Sequence, residues 1–408
     1  MSKIIIIGGG PAGMMAAVAA SEKHDVVVIE KNEKLGRKLY ITGKGRCNIT
    51  NAKDIGDFFE HIPCNPHFLY SSLYSFTNED TMNFFSELGV PLKVERGDRV
   101  FPESNKSSDI TKAFSIALKN KRVKVMLNSK VKSLTRDNQK IASVELADGT
   151  TIYGDYFILC TGGLSYPQTG SSGEGLTFSR FLGHNIIKTK ASLVPIEVDE
   201  TWVSELQGLS LKNVELKITD TKNKSLYKEF GEMLFTHYGF SGPIVLSASS
   251  FIKQGIKFKA VINLKPALSE IELDKRVQND FLKYANKDFK NALDDLLPRK
   301  LISTIIKLSN IDENKKVNSV TKEERKTVVY LLQNLTFSIK CLRPIEEAII
   351  TSGGVDTLEI DASTMKSKKI DNLYFAGEMI DVDAYTGGYN LQIALSTGHL
   401  AGSNVGID

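Results

Sequence analysis

Apolar positions along this chain change period several times, and each change marks an element. Ile4–Ile7 and Val26–Ile29 are short unbroken apolar runs bounded by turn residues, the pattern of parallel strands covered on both faces. Between them lie Gly8, Gly9, Gly10 and Gly13 and a run of small residues that predicts a helix. Asn65–Gly89 reads as helical, with Phe68, Leu69, Leu73, Phe76, Met82, Phe84, Phe85 and Leu88 as core positions. Val123–Leu134 and Ile141–Leu159 alternate apolar with polar residues around turns at 136–139 and Asp148-Gly149, a strand and hairpin pattern that runs into Thr161-Gly162-Gly163. Ser192–Ile262 switches to short alternating strands such as Val214–Ile218 and Phe258–Ile262, which predicts an all-β insert. Ile271–Leu335 turns charged and amphipathic, with Leu293, Leu296, Leu297, Leu301, Ile305, Ile306 and Leu308 at helical spacing, and predicts a small helical cap. From about Arg343 the β pattern returns.

The first turn carries chemistry. A strand that feeds a glycine turn into a helix N-terminus aims unpaired N–H groups at one point, where a pyrophosphate fits. In Gly8-x-Gly10-x-x-Gly13 the first glycine allows the turn, the second lets backbone approach phosphate, and the third lets helix and strand pack closely. Pro11 and Ala12 open the helix. Glu30 ends the second strand about 20 residues on, where an acid is expected to take a ribose hydroxyl pair and to repel a 2′-phosphate. The other end of the chain selects FAD over NAD. After Leu373–Phe375 come Gly377, Glu378 and Asp381, then Gly387, Gly388, Asn390, Leu391 and Gln392 ahead of an apolar helix. An acid there can face ribitol and phosphates, and the helix N-terminus can face the flavin N1 and C2 carbonyl, where charge develops on reduction.

These ends, with Leu35-Gly36-Arg37-Lys38, Thr42–Asn51, Thr161–Pro167, Gly231–Pro243 and Thr351–Val355, resemble over essentially the whole length the bacterial flavoproteins related to aminoacetone oxidase and to a bile-acid dehydro-reductase, in the two-dinucleotide-binding flavoprotein superfamily. The resemblance implies bound FAD and an α/β fold: a Rossmann-like FAD-binding domain split by an inserted β-barrel-like domain and a helical cap that closes the active site. The expected partition is 1–190 and 351–408 for the flavin domain, 191–265 and 335–350 for the β insert, and 266–334 for the cap. Onto the matching motifs it carries cofactor contacts for Lys31, Arg37, Lys38, Thr42, Gly43, Gly45, Arg46, Cys47 and Asn48, and for Thr161, Gly162 and Gly163, with the backbone of Val131 toward adenine. It does not imply one substrate.

Composition narrows the rest. With 52 Lys and Arg against 48 Asp and Glu, the 408-residue chain is too evenly charged to announce a nucleic-acid or membrane partner. No apolar run approaches the roughly 18 residues of a membrane span, and a cytoplasmic protein is expected. The basic residues of the cap, from Lys283 to Lys326, are interleaved with acids and read as a solvated face, so RNA binding is not expected. The four cysteines lack metal or dithiol spacing; Cys160 reads as core, and Cys47, beside Arg46, reads as cofactor packing with a lowered pKa as the alternative. No metal site is expected, and the residues specify no oligomeric state.

A flavin brings its own reactivity, so the protein needs only to place a small organic substrate against N5 and manage protons. His237, in a glycine-bounded turn, is one acid/base candidate, against the plainer role of bonding its own loop; Tyr166 is a second, and Tyr385 and Tyr389 flank the other glycine turn. Gly170–Gly175 does not follow a strand, so a nicotinamide, if NAD(P)H reduces the flavin, docks transiently. The expectation is an FAD-dependent oxidoreductase moving a hydride between N5 and substrate, by amine oxidation or enone-type reduction. The alternatives are a flavin-dependent tRNA-modifying enzyme and a non-catalytic flavin redox sensor.

Overall fold

A computed structural model describes residues 1–253 and 255–407. The chain divides into two compact units, Met1–Ser192 with Pro344–Asp408, and Leu193–Arg343.

The first unit is built on five parallel strands in the order Leu373–Phe375, Tyr156–Leu159, Lys3–Ile7, Asp25–Ile29, Lys124–Met126. Ile4, Ile5, Ile6 and Val28 are wholly buried, as strands covered on both faces must be. The stretch after Val123 is not one hairpin. Lys124–Met126 closes the edge of the parallel sheet, Asn128 takes a left-handed φ of 53°, and Val131–Asp137 starts a separate three-stranded antiparallel sheet. The expected helix over 65–89 is also divided, into Tyr70–Ser75 and Asn78–Glu87, because the Thr77 hydroxyl accepts from the Asp80 N–H and starts a new helix. Leu69, Leu73, Phe76 and Phe85 are buried as expected.

The first helix, Pro11–Ala20, lies against the C-terminal helix, Tyr389–Asn404, at backbone distance. A Cβ on Gly398 would stand 2.3 Å from the Ala12 carbonyl oxygen, and one on Gly402 at 2.3 Å from that of Ala16. Where the chain leaves and re-enters this unit, Ile186–Ser192 pairs antiparallel with Ile350–Val355.

The second unit is a closed antiparallel barrel, Ile196–Val198, Gly239–Ser241, Ser225–Phe235, Ser210–Asp220, Phe258–Asn263 and Leu335–Leu342, whose last strand returns to the first. Period-2 alternation points Leu216, Ile218, Ala260, Ile262 and Phe337 inward. Between its last two strands, helices Glu270–Lys283, Arg299–Ser309 and Lys322–Gln333 bury Leu273, Val277, Leu301, Ile305, Val328 and Leu332 in the same continuous core. Capping boxes at Ser269/Glu272 and Thr321/Glu324 start the first and third of these helices.

Candidate cofactor and active site

The three glycines of the first turn separate by what a side chain would meet. Gly8, at φ 110°, donates to the Ile29 carbonyl, and a Cβ on it would stand 2.4 Å from the Cys160 carbonyl oxygen. A Cβ on Gly13 would stand 1.9 Å from the Gly8 carbonyl oxygen. Gly10 is different: it has an ordinary φ of −77°, and a Cβ there would meet no protein atom within 4 Å. The space before Gly10 is a cradle that a side chain would fill. Pro11 is the first helical residue and no side chain caps the helix, so the first-turn N–H groups face that cradle without a protein acceptor.

Glu30 does more than the sequence indicates. Its Oε2 accepts from the Gly9 N–H at 2.7 Å and its Oε1 from the Asn32 N–H and side chain at 2.8 and 2.7 Å. The carboxylate braces the glycine turn and has capacity for about one further donor, such as a ribose hydroxyl. The Glu30 carbonyl accepts from Ser129, which brings buried Val131 beside this end of the sheet.

Residues 36–51 hold a short helix, Arg37–Ile41, followed by a loop of unusual backbone. Gly36, Gly43, Lys44, Gly45 and Cys47 all have positive φ, and the Thr42 hydroxyl ties the turn to the Lys38 carbonyl. Asn48 Oδ1 is buried with no hydrogen-bond partner, an acceptor that the fold itself leaves unmatched. Together with the open cradle at Gly10 it fits a bound dinucleotide. Burial pushes the Cys47 thiol up, so it is a packing thiol and the lowered-pKa alternative does not hold. Arg46 is committed inside the protein: it pairs with Glu95, donates to Asn105 Oδ1 and lies 4.2 Å over the Phe101 ring.

Lys38 gathers the two glycine turns. Its ammonium is 2.5 Å from Glu378 Oε2 and 2.7 Å from Ser165 Oγ, while Glu378 Oε1 accepts from Ser165 Oγ and the Thr351 N–H. Thr351 Oγ1 accepts in turn from Leu164 and Ser165, close enough to Gly163 that a Cβ there would stand 2.4 Å away. Gly377 is bonded to Thr397 and faces Ala12, so Thr161–Gly163, Gly377–Glu378 and the first helix form one floor. Gly162, at φ 72°, completes that turn. Lys31 is held by Ser172 and Glu174, and Arg37 by Asn32.

At the C-terminal helix, several side chains carried over as cofactor contacts serve the scaffold. Gln392 is fully buried, accepting from Thr50 Oγ1 and donating to Phe76 and Ser396. Asn390 clamps the backbone of Ala384 from both sides, and Leu391 packs on the core. The uncapped helix start at Gly388, at φ 104°, stays available, and a Cβ on Gly388 would strike the Thr50 carbonyl at 2.3 Å. Asp381 accepts from Asn65, and buried Asp383 from Ser192 Oγ at 2.8 Å; desolvation raises the pKa of both.

Sequence reasoning missed the strap beside this helix start. Lys53 Nζ lies 3.1 Å from His61 Nε2, the His61 carbonyl accepts from the Tyr385 N–H, and the His61 ring meets Tyr389 edge-on at 4.5 Å. Burial and the Lys53 charge push His61 down, keeping it neutral near pH 7. No periodicity marks Lys53 and His61, because a 3-10 turn, Ile55–His61, brings them together. Of the two acid/base candidates, Tyr166 is half-buried at a left-handed φ of 52°, its phenol pushed up by burial. His237 is exposed on the hairpin after Ser225–Phe235, its ring edge-on to Tyr238.

The family model described as HI0933-like protein Rossmann domain matches residues 2–404. The chain belongs to the HI0933-like family. Members similar to it over nearly their whole length are the 3-dehydro-bile acid delta(4,6)-reductase of Clostridium scindens, 29% identical with 98% of each chain covered, and the ribosomal RNA dihydrouridine synthase of Escherichia coli, 31% identical over 96% of this chain and 95% of the relative. A quinol-fumarate reductase structure covers 99% of this chain and 70% of its own at 14% identity with a TM-score of 0.52, a likeness of fold alone. This HI0933-like protein is an FAD-dependent oxidoreductase, and the α/β fold with a closed barrel agrees with the sequence reading. Bound FAD supplies hydride chemistry at N5. The open cradle at Gly10, the turn braced by Glu30, the Lys38–Glu378 contact and the uncapped helix start at Gly388 are the features that would hold it. Among the described residues no His, Cys, Asp and Glu cluster could hold a metal, and no helix is long and apolar enough to cross a membrane.

Proposed function

We propose that this protein reduces a carbon–carbon double bond conjugated to a carbonyl. One observation carries the reading: two relatives aligned over at least 95% of their length are named for substrates that share little else. A 3-oxo bile acid with a double bond at C4 and the uracil ring with C5=C6 beside C4=O have that enone-type unit in common. Hydride addition at the β-carbon leaves an enolate, and a proton must reach the α-carbon. Tyr166 is the donor in this reading, since its phenol remains protonated through the neutral range; His237 is the second candidate.

NAD(P)H is the proposed reductant, docking transiently. Among the described residues, Gly170–Gly175 follows the 3-10 turn Pro167–Thr169 and not a strand, which supports a single resident dinucleotide. Cys47, Cys64, Cys160 and Cys341 are all free thiols, which supports a reducing, cytoplasmic setting.

The test is anaerobic. Protein reduced with NADPH is mixed with a 4-ene-3-ketosteroid or a uridine-containing RNA, and return of the oxidised flavin absorbance is followed with analysis of the product. Reoxidation with saturation of the double bond is expected. Reoxidation by neither acceptor, with bleaching of oxidised flavin by a primary amine instead, would overturn the reading in favour of amine oxidation. Tyr166→Phe is expected to slow the single-turnover step by about 10²–10⁴-fold with FAD content unchanged.

A further inference from the structure

Lys53 is a half-buried lysine that no acid answers. Its ammonium lies 3.1 Å from His61 Nε2, and among the described residues no carboxylate stands within ion-pair distance of it. Asp54 accepts from the Gly56 N–H instead, and Asp57 and Glu60 are exposed on the same 3-10 turn. Their charges draw His61 toward protonation, but burial and the Lys53 charge outweigh them. A neutral imidazole takes the Lys53 hydrogen bond on Nε2 only as the tautomer with its proton on Nδ1. The ring therefore fixes the ammonium without cancelling its charge, and two of the three ammonium donors remain.

Two connections tie this ammonium to the start of helix Tyr389–Asn404. Buried Asn51 accepts from the Lys53 N–H at 3.1 Å through its side-chain oxygen, and its side-chain nitrogen donates to the Gly387 carbonyl at 3.1 Å. The His61 ring meets Tyr389, the first residue of the helix, edge-on at 4.5 Å, and Phe58 meets the same ring edge-on at 4.9 Å. Lys53 is thus held one imidazole away from a helix start that no side chain caps.

We propose that Lys53 is the counter-charge for reduced flavin, holding the negative charge at N1 and the C2 carbonyl jointly with the helix start and so favouring reduction of bound FAD. A hydride added at N5 brings two electrons and one proton, and one negative charge is left over N1 and the C2 carbonyl. A helix N-terminus offers about half a charge, confined to its first turn. An ammonium offers a whole one, and partial burial weakens its screening by solvent. Holding an ammonium half-buried without an acid is unfavourable before reduction, and a charge that arises only on reduction offsets that cost. A carboxylate in the place of His61 would have neutralised Lys53 beforehand. The proposal concerns FAD and no organic substrate, so it and the reductase reading fail separately.

The experiment is the two-electron midpoint potential of the FAD-loaded full chain without substrate, measured by slow enzymatic reduction against a reference dye. Lys53→Gln keeps a donor for His61 and loses the charge. It is expected to make reduction about tenfold less favourable, a fall of about 30 mV. Lys53→Arg is expected to stay within about threefold of wild type. Lys23→Gln makes the same charge change on an exposed residue just beyond the far end of the first helix and is expected to leave the potential unchanged. The wild-type potential is expected to follow one proton per two electrons down to about pH 6, and that of Lys53→Gln to move toward two protons there. Flavin content and circular dichroism establish that each variant is loaded and folded. Any of three results overturns the proposal: a loaded Lys53→Gln within twofold of wild type, an equal fall in Lys53→Arg or Lys23→Gln, or a wild-type dependence of two protons per two electrons at neutral pH, which needs no variant to fold.

Discussion

At the scale of single residues, the glycine turn separates binding from folding. Gly8 and Gly13 are required by the protein's own backbone, whereas Gly10 is required by nothing in the protein, since a side chain there meets empty space. Gly10→Val is therefore expected to fold, with the melting temperature of wild-type apoprotein, and to purify colourless; normal flavin content would show that phosphate does not approach Gly10. Gly13→Ala is expected to lose stability first, by backbone collision with Gly8. Glu30 combines both kinds of duty. Removing a carboxylate that accepts three hydrogen bonds, two of them from backbone N–H groups, is expected to cost the apoprotein about 2–4 kcal/mol in addition to any loss of FAD affinity. Denaturant titration of Glu30→Ala apoprotein, if superimposable on wild type, would make Glu30 a cofactor contact alone. The motif identified the position of Glu30 but could not show this second task, because Gly9 and Asn32 are bonded only once the turn has closed.

At the scale of elements, strands and glycine turns were legible and irregular segments were not. Unbroken apolar runs and alternation are periodic signals, and they placed Ile4–Ile7, Val26–Ile29 and the barrel strands around Val214–Ile218 and Phe258–Ile262, but they read the edge strand Lys124–Met126 as part of a hairpin and did not show the helix Pro243–Ser249 inside the β insert. The strap that joins Lys53 to His61 is aperiodic and left no signal. Gln392 and Asn390 have a task that the motif does not show: their side chains bond Thr50, Phe76, Ser396 and Ala384, which leaves only the backbone of the helix start to face a cofactor. The strand pair Ile186–Ser192 and Ile350–Val355 carries a further burden. Ser192 donates to buried Asp383, whose pKa is raised by desolvation. A carboxyl with its folded pKa above the unfolded value contributes stability that is complete below about pH 4 and is lost as pH rises through the folded pKa. Asp383→Asn removes the charge and leaves an acceptor for Ser192. It is expected to raise the melting temperature at pH 7 relative to wild type, with the advantage shrinking as pH falls toward 4; an advantage independent of pH would assign the effect to packing and not to the buried charge.

At the scale of the whole molecule, the chain places all its dinucleotide motifs in one unit and interrupts that unit with another. Gly8–Gly13, Glu30, Lys38, Asn48, Gly163, Glu378 and Gly388 all belong to Met1–Ser192 and Pro344–Asp408. The insert has its own core, in which barrel strands and helices form one apolar cluster, so excising the helices alone would uncover the barrel interior. The clean cut is at the unit boundary. Ser192 pairs with Ile350, six residues beyond Pro344, so the ends of the first unit can be joined by a short flexible linker. Replacing 193–343 with such a linker is expected to give a folded protein that still binds FAD noncovalently, seen as yellow protein after gel filtration and as quenching of added FAD fluorescence. It is expected to lose reduction of the conjugated double bond, because the excision removes His237, the second acid/base candidate of the proposed reaction. A folded but colourless product that also fails to bind added FAD would show that residues of 193–343 belong to the cofactor site. A product that turns over at the wild-type rate would place substrate recognition entirely in the first unit.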